Sequence, residues 1–226
     1  MEKLINTIFP TKCVFCGQQD TIFCYNCLYE CSVVRFGACI VCQGKSVGGE
    51  THESCKSFTS PLSLFSCFEY KDGVRECIRR SKYEPKEFAT LKVLAPFGVD
   101  YAFGAGFAVS DFTVVSVPLS KKREKDRGFN QVDFISKDLA KKLGLKMENS
   151  ILTRVLDKEA QSKLTKDERK KNMKGVFEVN SKRVENKKIL LVDDIYTSGA
   201  TLLEASKALY IAGAKKVRCF TLARVL

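Results

Sequence analysis

The sequence predicts an α/β fold, in which a mostly parallel sheet is flanked by helices and preceded by a small cysteine-rich segment. Two observations predict it. From about residue 61 onward, short apolar runs rich in β-branched residues alternate with helical periodicity, which is typical of strand–helix–strand units. Before residue 56 lie eight of the eleven cysteines of this 226-residue chain. We therefore expect an amino-terminal region over residues 1–60 and an α/β domain over residues 61–226.

The amino-terminal region is built around four pairs of residues, each with two positions between its members. Three pairs are Cys-x-x-Cys and the fourth is His-x-x-Cys. Each pair can direct two ligand atoms at one tetrahedral zinc ion, and a cysteine cluster in a chain without a signal peptide favours metal over disulfides. In chain order, the candidate ligands are Cys13, Cys16, Cys24, Cys27, Cys39, Cys42, His52 and Cys55.

The order of the pairs favours two zinc ions, one held by the first four ligands and one by the last four. A crossed pairing, in which the first pair joins the third, stays open, and so does a single occupied site. Between the first and last pairs there is no long amphipathic run, so metal binding is expected to supply folding energy. Cys31 falls outside the paired rhythm, while Cys67, Cys77 and Cys219 lie in apolar surroundings typical of a core.

The elements of the α/β domain follow from its apolar periodicity. A β-branched run that ends at Pro118 predicts a buried strand, and the amphipathic stretch ended by Gly144 predicts a helix. Four apolar residues in a row at 189–192 predict a strand buried on both faces, as in a parallel sheet. Pro96 and Gly98 leave the continuity of the second helix open. The expected elements are strand 62–70, helix 74–83, helix 87–103, strand 113–117, helix 131–143, strand 189–192, helix 200–212 and strand 217–222.

The residues after the 189–192 strand carry the chemistry. Asp193 and Asp194 are expected to end the strand, a turn with hydroxyls and Gly199 follows, and a helix begins near Ala200. Ligands of open α/β sheets bind at such carboxyl ends, where free backbone N–H groups and the helix dipole favour an anion. The turn therefore predicts a cradle for one phosphate monoester, beside two carboxylates that can accept from vicinal ribose hydroxyls. The alternative is an ordinary turn whose hydroxyls cap the helix.

Basic residues are concentrated in the middle of the chain. Residues 1–119 hold 12 basic and 12 acidic side chains, whereas residues 120–188 hold 21 basic and 11 acidic ones. This surplus favours an anionic partner such as nucleic acid or polyphosphate, or else it forms a solvated surface. A basic turn directly after Pro118 is expected to place Arg123 and Arg127 against phosphate oxygens.

The run from Val192 to Thr201 resembles the phosphoribosyl-pyrophosphate motif of type I phosphoribosyltransferases. The chain as a whole is similar to the ComF-type competence protein family, in which a cysteine-paired zinc module precedes a phosphoribosyltransferase domain. The resemblance implies a zinc-binding module over residues 1–60. It also implies a type I phosphoribosyltransferase-like parallel sheet flanked by helices over residues 61–226. The fourth metal pair departs from the family, because His52 stands where a cysteine is usual.

Three further segments resemble parts of that family. The string Val117-Pro118-Leu119-Ser120, with the arginines that follow it, resembles the pyrophosphate-side loop. Lys82 and Tyr83 resemble a hood segment over the site, and the lysine is expected to reach the pyrophosphate. Residues 154–177 resemble a mobile loop that closes over the substrate. Its matching residues are Arg154, Gln161, Leu164, Arg169, Asn172 and Phe177.

The resemblance implies a protein of natural transformation and DNA uptake that binds phosphoribosyl pyrophosphate, or a related ribose phosphate, with Mg²⁺. It implies phosphoribosyl transfer as the reaction class, with single-stranded DNA and a protein of the uptake machinery as partners. The alternative is a metabolic phosphoribosyltransferase acting on a nucleobase or another small acceptor. The residues expected to act in catalysis are Asp193, Asp194, Arg123 and Arg127. Those expected to bind the ligand are Asp193, Asp194, Tyr196, Thr197, Ser198, Gly199, Ala200, Thr201, Leu119 and Ser120.

Nothing in the sequence predicts a membrane protein. No apolar run approaches the roughly 18 residues of a membrane span. Residues 1–10 lack the basic-then-apolar layout of a signal peptide. We therefore expect a cytoplasmic protein that does not insert into membranes.

Overall fold

The structure is a computed structural model, and the residues it describes are 12–83, 88–155 and 175–226. The strands are β1 Leu64–Glu69, β2 Phe112–Ser116, β3 Lys146–Met147, β4 Leu152–Arg154, β5 Phe177–Val179, β6 Lys188–Tyr196 and β7 Lys216–Arg224. The α-helices are α1 Tyr25–Tyr29, α2 Asp72–Tyr83, α3 Phe88–Gly104, α4 Lys121–Arg127, α5 Gln131–Leu143, α6 Ser181–Val184 and α7 Ala200–Ile211. Two 3₁₀ turns, Val47–Gly49 and Glu53–Cys55, lie in the amino-terminal region.

Within the described residues, five strands form one sheet in the order β1-β7-β6-β2-β3, and all neighbouring strands are parallel. Alternate residues of the central strand β6 enter two separate apolar clusters. Leu190 and Val192 pack with residues of α2, α3 and α5, whereas Ile189 and Leu191 pack with residues of α7. Because helices cover both faces, both sets of side chains must be apolar, which explains the uninterrupted run. The predicted parallel sheet flanked by helices is confirmed.

Two elements differ from the sequence-based expectation. Strand β6 does not end at the acids but continues to Tyr196, because its pairing with β7 extends as far as Arg224. The basic segment after Pro118 is a short helix, α4, rather than a turn. Its carboxyl end is closed by Gly128, which adopts a left-handed conformation with φ of 74°.

Helix α3, the second helix expected in the α/β domain, runs without interruption through Pro96. Gly98 allows this helix to approach the sheet closely. A Cβ atom at Gly98 would lie 2.6 Å from Leu222 Cδ1 and 2.9 Å from Phe68 Cε2. Glycine is thus required here by packing rather than by backbone conformation.

The amino-terminal region lies along strand β1, which is at the edge of the sheet. Val33 forms an antiparallel bridge with Phe68, and the Thr51 N–H donates to the Leu62 carbonyl over 2.8 Å. Phe23 and Leu28 are buried in the same apolar cluster as residues of β1 and α2. The region therefore compensates for its own lack of apolar residues by sharing the core of the sheet. None of the described helices is long and apolar enough to cross a membrane.

Candidate functional site

Two adjacent carboxylates lie near the carboxyl end of β6, and the second is the centre of a buried network. Asp194 is 7 % exposed. Its Oδ2 atom is 2.7 Å from Lys82 Nζ and accepts a hydrogen bond of 2.9 Å from Gln131 Nε2. The lysine comes from the last turn of α2 and the glutamine from the first turn of α5. Two helices that are distant in sequence thus converge on one carboxylate oxygen of β6.

The segment after β2 extends this network. Arg127 Nη1 donates to Gln131 Oε1 over 3.1 Å, so the arginine is connected to Asp194 through one side chain. Asn130 begins α5: its Oδ1 accepts from the Val132 N–H at 3.2 Å, and its Nδ2 donates to the Val117 carbonyl at 3.1 Å. These bonds fix the path of the chain between β2 and α5 and hold Gln131 against the carboxylate.

The two carboxyl groups have opposite pKa shifts. Burial raises the pKa of Asp193 to about 7, and the neighbouring charge of Asp194 adds to the effect. Burial acts on Asp194 in the same direction, but the Lys82 ammonium and the hydrogen bonds from Lys82 and Gln131 outweigh it and lower the pKa. Near neutral pH, Asp194 is therefore ionised, whereas Asp193 is partly protonated.

The loop after β6 forms a small cavity together with the first acid. Gly199 is left-handed, with φ of 75°, and is the N-cap of the 12-residue helix α7. Because glycine has no side chain to cap that helix, backbone N–H groups of its first turn face the loop. The cavity is lined by Asp193, Ile195, Tyr196, Thr197, Gly199, Ala200, Thr201 and Leu202. The structure thus brings the predicted phosphate loop and the first carboxylate to one place.

Other predicted ligand residues have clear structural positions. The Tyr196 hydroxyl is buried and donates to the Ile40 carbonyl over 3.0 Å. Ser198 is also buried, and its Oγ accepts a long hydrogen bond of 3.5 Å from the Ala200 N–H. Ser120 is the N-cap of α4, where its Oγ accepts from the Arg123 N–H at 3.3 Å. These hydroxyls therefore stabilise the loops in which they lie.

The predicted arginines are not equivalent. Leu119 and Arg123 are half-buried near the start of α4, and among the described residues no hydrogen bond joins Arg123 to the carboxylates. Arg127, at the end of α4, joins the network through Gln131. Helix α4 thus brings one of the two predicted arginines towards the acids.

Arg154 adds a positive charge to the same region. It lies at the end of β4, with its guanidinium 5.9 Å from the centre of the Phe177 ring. Its charge opposes the upward shift in the pKa of Asp193. The other residues expected in the mobile loop, Gln161, Leu164, Arg169 and Asn172, lie outside the described residues.

The eight predicted metal ligands form two clusters that follow the order of the pairs. The first contains Cys13, Cys16, Cys24 and Cys27, and the second contains Cys39, Cys42, His52 and Cys55. Within each cluster, the ligand atoms lie within 4.8 Å of one another. This spacing suits four ligands around one tetrahedral ion, with sulfur about 2.3 Å and nitrogen about 2.0 Å from the metal. The structure supports the sequential grouping rather than the crossed one.

His52 is oriented as a ligand of the second cluster. Its Nδ1 atom is 3.4 Å from Cys42 Sγ, and its Nε2 atom is 3.0 Å from the Lys45 carbonyl oxygen. In this arrangement Nε2–H can donate to the carbonyl, which leaves Nδ1 unprotonated and directed at the sulfur atoms. Histidine at the fourth pair is therefore compatible with metal binding.

Within each cluster the thiol groups differ in pKa. Burial and hydrogen bonds with neighbouring cysteines raise the pKa of Cys27 and of Cys55. Burial opposes ionisation of Cys13 and Cys39, but backbone N–H donors outweigh it and lower the pKa of Cys13 to about 6 and of Cys39 to about 7. Cys31 lies outside both clusters, and its Sγ donates to the Cys27 carbonyl over 3.4 Å. Cys67, Cys77 and Cys219 are fully buried, as predicted, and burial raises the pKa of each thiol.

Comparison with known proteins agrees with this arrangement. A family model described as "Phosphoribosyl transferase domain" matches residues 134–226, which include both acids and the loop that follows them. Competence protein ComFC of Bacillus subtilis is 29 % identical over 94 % of this chain and 88 % of its own length. Competence protein ComFC of Streptococcus pneumoniae is also 29 % identical, over 94 % of this chain and all of its own length.

Other matches cover smaller parts of the chain. DNA utilization protein YhgH of Escherichia coli K12 is 34 % identical, but the match covers 50 % of this chain and 49 % of that protein. A glutamine phosphoribosylpyrophosphate amidotransferase structure from Bacillus subtilis has a TM-score of 0.39 and 19 % identity. That match covers 58 % of this chain and 25 % of the amidotransferase, and similarity at this level does not establish a common fold. From the full-length matches and the family model, the chain is a homologue of the ComFC competence proteins and carries a phosphoribosyl transferase domain.

Proposed function

We propose that this protein binds phosphoribosyl pyrophosphate with Mg²⁺ and that it handles single-stranded DNA during natural transformation. One observation carries the ligand proposal: Asp193 lines the same cavity as four residues of the following loop, at the carboxyl end of a central parallel strand. The four loop residues are Thr197, Gly199, Ala200 and Thr201. Such an edge is where open α/β sheets bind phosphorylated ligands.

In the proposed complex, the 5′-phosphate accepts hydrogen bonds from the backbone N–H groups of the loop and from the Thr197 and Thr201 hydroxyls. The ribose hydroxyls donate to Asp193 and Asp194. Lys82 contacts Asp194, so it holds that carboxylate in its ionised form.

The proposed reaction class is phosphoribosyl transfer, in which the bond from the ribose C1 carbon to pyrophosphate breaks and a bond to the acceptor forms. The two carboxylates would hold the ribose while positive charge develops at C1. Arg127, with Arg123, is proposed to face the leaving pyrophosphate, whose charge Mg²⁺ would help to neutralise. Leu119 and Ser120 are proposed to shape the loop on that side of the ligand.

Each cysteine cluster is proposed to hold one zinc ion, because its four ligand atoms are already gathered. The proposed DNA partner is supported by the basic surplus of residues 120–188, with 21 basic and 11 acidic side chains. It is also supported by the relatives that are named for competence and DNA utilization. A basic surface binds single strands through their phosphates, with modest dependence on sequence.

Calorimetric titration of phosphoribosyl pyrophosphate tests the ligand proposal directly. We expect saturable binding that weakens when Mg²⁺ is withheld and that excess pyrophosphate displaces. No binding by a folded, zinc-loaded protein would refute the proposal. A parallel titration with single-stranded DNA should show affinity that falls steeply with salt concentration. Tight ligand binding without any DNA binding would instead favour the metabolic transferase.

The affinity for phosphoribosyl pyrophosphate is expected to rise between pH 6 and pH 8. The pKa of Asp193 is about 7, so below that pH the group is mostly protonated and accepts poorly from a ribose hydroxyl. Binding that requires the carboxylate then gains up to about tenfold per pH unit below the pKa. The ligand's own phosphates titrate nearby, so Asp193→Asn is the control. The pH dependence should flatten in that variant, and an unchanged profile would exclude Asp193 as its source.

A further inference from the structure

Residues of the second metal cluster pack against the loop 197–201, which we call the phosphate loop. We call residues 39–44 the knuckle turn, since they carry the Cys39/Cys42 pair. From this turn, Gln43 Nε2 donates to the Ser198 carbonyl over 3.4 Å. The Ile40 carbonyl accepts from the Tyr196 hydroxyl at 3.0 Å, and it would lie 3.1 Å from a Cβ atom at Gly199. The knuckle turn is therefore packed against the loop with no space for an intervening side chain.

The backbone of Gln43 is in an unfavourable conformation for its residue type. Its φ angle is 67°, in the left-handed region that non-glycine residues rarely occupy. The corresponding position of the first cluster, directly after the second cysteine of the pair, is Gly17, with φ of 74°. The two turns thus require the same backbone conformation, and glycine satisfies it without strain. A strained glutamine at this position points to a role for its side chain.

The contact with Ser198 has a direct consequence for the phosphate loop. In a planar trans peptide, the carbonyl and the following N–H point in opposite directions. When Gln43 holds the Ser198 carbonyl towards the knuckle turn, the N–H of Gly199 must face away from it. Gln43 thereby orients a donor at the start of α7, where an anion is expected to bind.

We propose that Gln43 is a positioning residue for the phosphate loop, and that metal in the second cluster keeps the loop ordered through it. The effect on ligand affinity rests on the proposed function, whereas the effect on loop order does not. The proposal can therefore be tested whether or not the ligand has been correctly identified.

The test uses the full-length, zinc-loaded protein and the variants Gln43→Gly and Gln43→Asn. Both replacements suit a left-handed backbone, and neither reaches as far as glutamine. We expect amide hydrogen exchange over residues 197–203 to become about three- to tenfold faster in both variants, the range for loss of one hydrogen bond. The dissociation constant of ribose 5-phosphate should rise by a similar factor. Zinc content should stay at the native level, and the unfolding midpoint should not fall, because the strain is relieved.

Gln18→Ala serves as the control, since it removes an exposed glutamine from the turn of the first cluster. Its loop exchange and its ligand affinity should match those of the native protein. Cys42→Ser, which disables the second cluster, should increase loop exchange at least as much as Gln43→Gly.

If amide hydrogen exchange over residues 197–203 is as slow in Gln43→Gly as in the native protein, the proposal is wrong. Loss of zinc from that variant would also overturn it, because the side chain would then serve the cluster itself. If the native protein binds no ribose 5-phosphate, the proposed function fails. The comparison of loop exchange still decides the role of Gln43 in that case.

Discussion

A double variant, Asp193→Asn with Asp194→Asn, is expected to lose at least about 100-fold of its affinity for phosphoribosyl pyrophosphate. A hydrogen bond to a charged group contributes about 1.5–3 kcal/mol, so loss of two such bonds corresponds to roughly 3–6 kcal/mol. Every 1.4 kcal/mol is about tenfold in affinity. Calorimetric titration at pH 8, where both acids are ionised in the native protein, gives the largest contrast.

Folding must be separated from binding in this experiment. Asp194→Asn leaves the Lys82 ammonium without its buried counter-ion, a loss that typically costs about 3–5 kcal/mol. Adding Lys82→Met should restore most of the unfolding midpoint while leaving binding lost. Asp111→Asn is the matched control. Asp111 is exposed just before β2, at the amino-terminal ends of the parallel strands, whereas the two acids lie near the carboxyl ends. Affinity within threefold of native in a folded double variant would exclude the carboxylates as ligand groups.

The sequence was sufficient to predict the sheet and the loop because both have local signatures. The apolar run at 189–192 reflects burial on two faces, and the hydroxyls and glycine after Asp194 mark a strand-to-helix turn. The candidate metal ligands could be predicted in the same way, since each pair lies within one turn of chain. Sequence spacing left the grouping of the pairs open, whereas the structure gathers the candidate ligand atoms of consecutive pairs in two clusters, which favours the sequential grouping.

The network around Asp194 could not be predicted in the same way. Lys82 and Gln131 reach one carboxylate oxygen because α2 and α5 pack on the same face of the sheet, a tertiary arrangement that has no local signal. The end of β6 also depends on its neighbour, since pairing with β7 carries the strand past both acids.

Two further features have a recognisable sequence pattern, although neither was predicted. Helix α4 has an N-cap serine, Ser120, and a terminal glycine, Gly128, around strong helix formers, although it lacks an apolar stripe. At the knuckle turn, comparison of the two Cys-x-x-Cys pairs shows that Gln43 stands where the first cluster has Gly17. That asymmetry marks a position where the side chain is retained despite an unfavourable backbone conformation.

Loss of metal from the first cluster is expected to lower the unfolding midpoint by roughly 8–16 °C. A metal present at about 1,000 times its dissociation constant stabilises the folded state by about 4.1 kcal/mol. In a chain of this size, each kcal/mol shifts the midpoint by about 2–4 °C. Cys16→Ser is the appropriate variant, because Cys16 is exposed and a serine there disturbs no core packing. Cys31→Ser is its control, since the serine hydroxyl can keep the hydrogen bond to the Cys27 carbonyl.

The unfolding midpoint should fall by this much because residues of the first cluster region pack into the core of the sheet. Phe15, between the two cysteines of the first pair, lies directly on the start of α2, where a Cβ atom at Gly73 would come 1.7 Å from its ring. Phe23 and Leu28 enter the apolar cluster that also contains residues of α2. Thermal unfolding of Cys16→Ser should therefore show a lowered midpoint, with Cys31→Ser unchanged. Chelator-treated native protein loses metal from both clusters, so its midpoint should be at least as low as that of Cys16→Ser. A native midpoint in Cys16→Ser would mean that apolar packing alone holds the region, because an exposed thiol contributes to stability here only as a metal ligand.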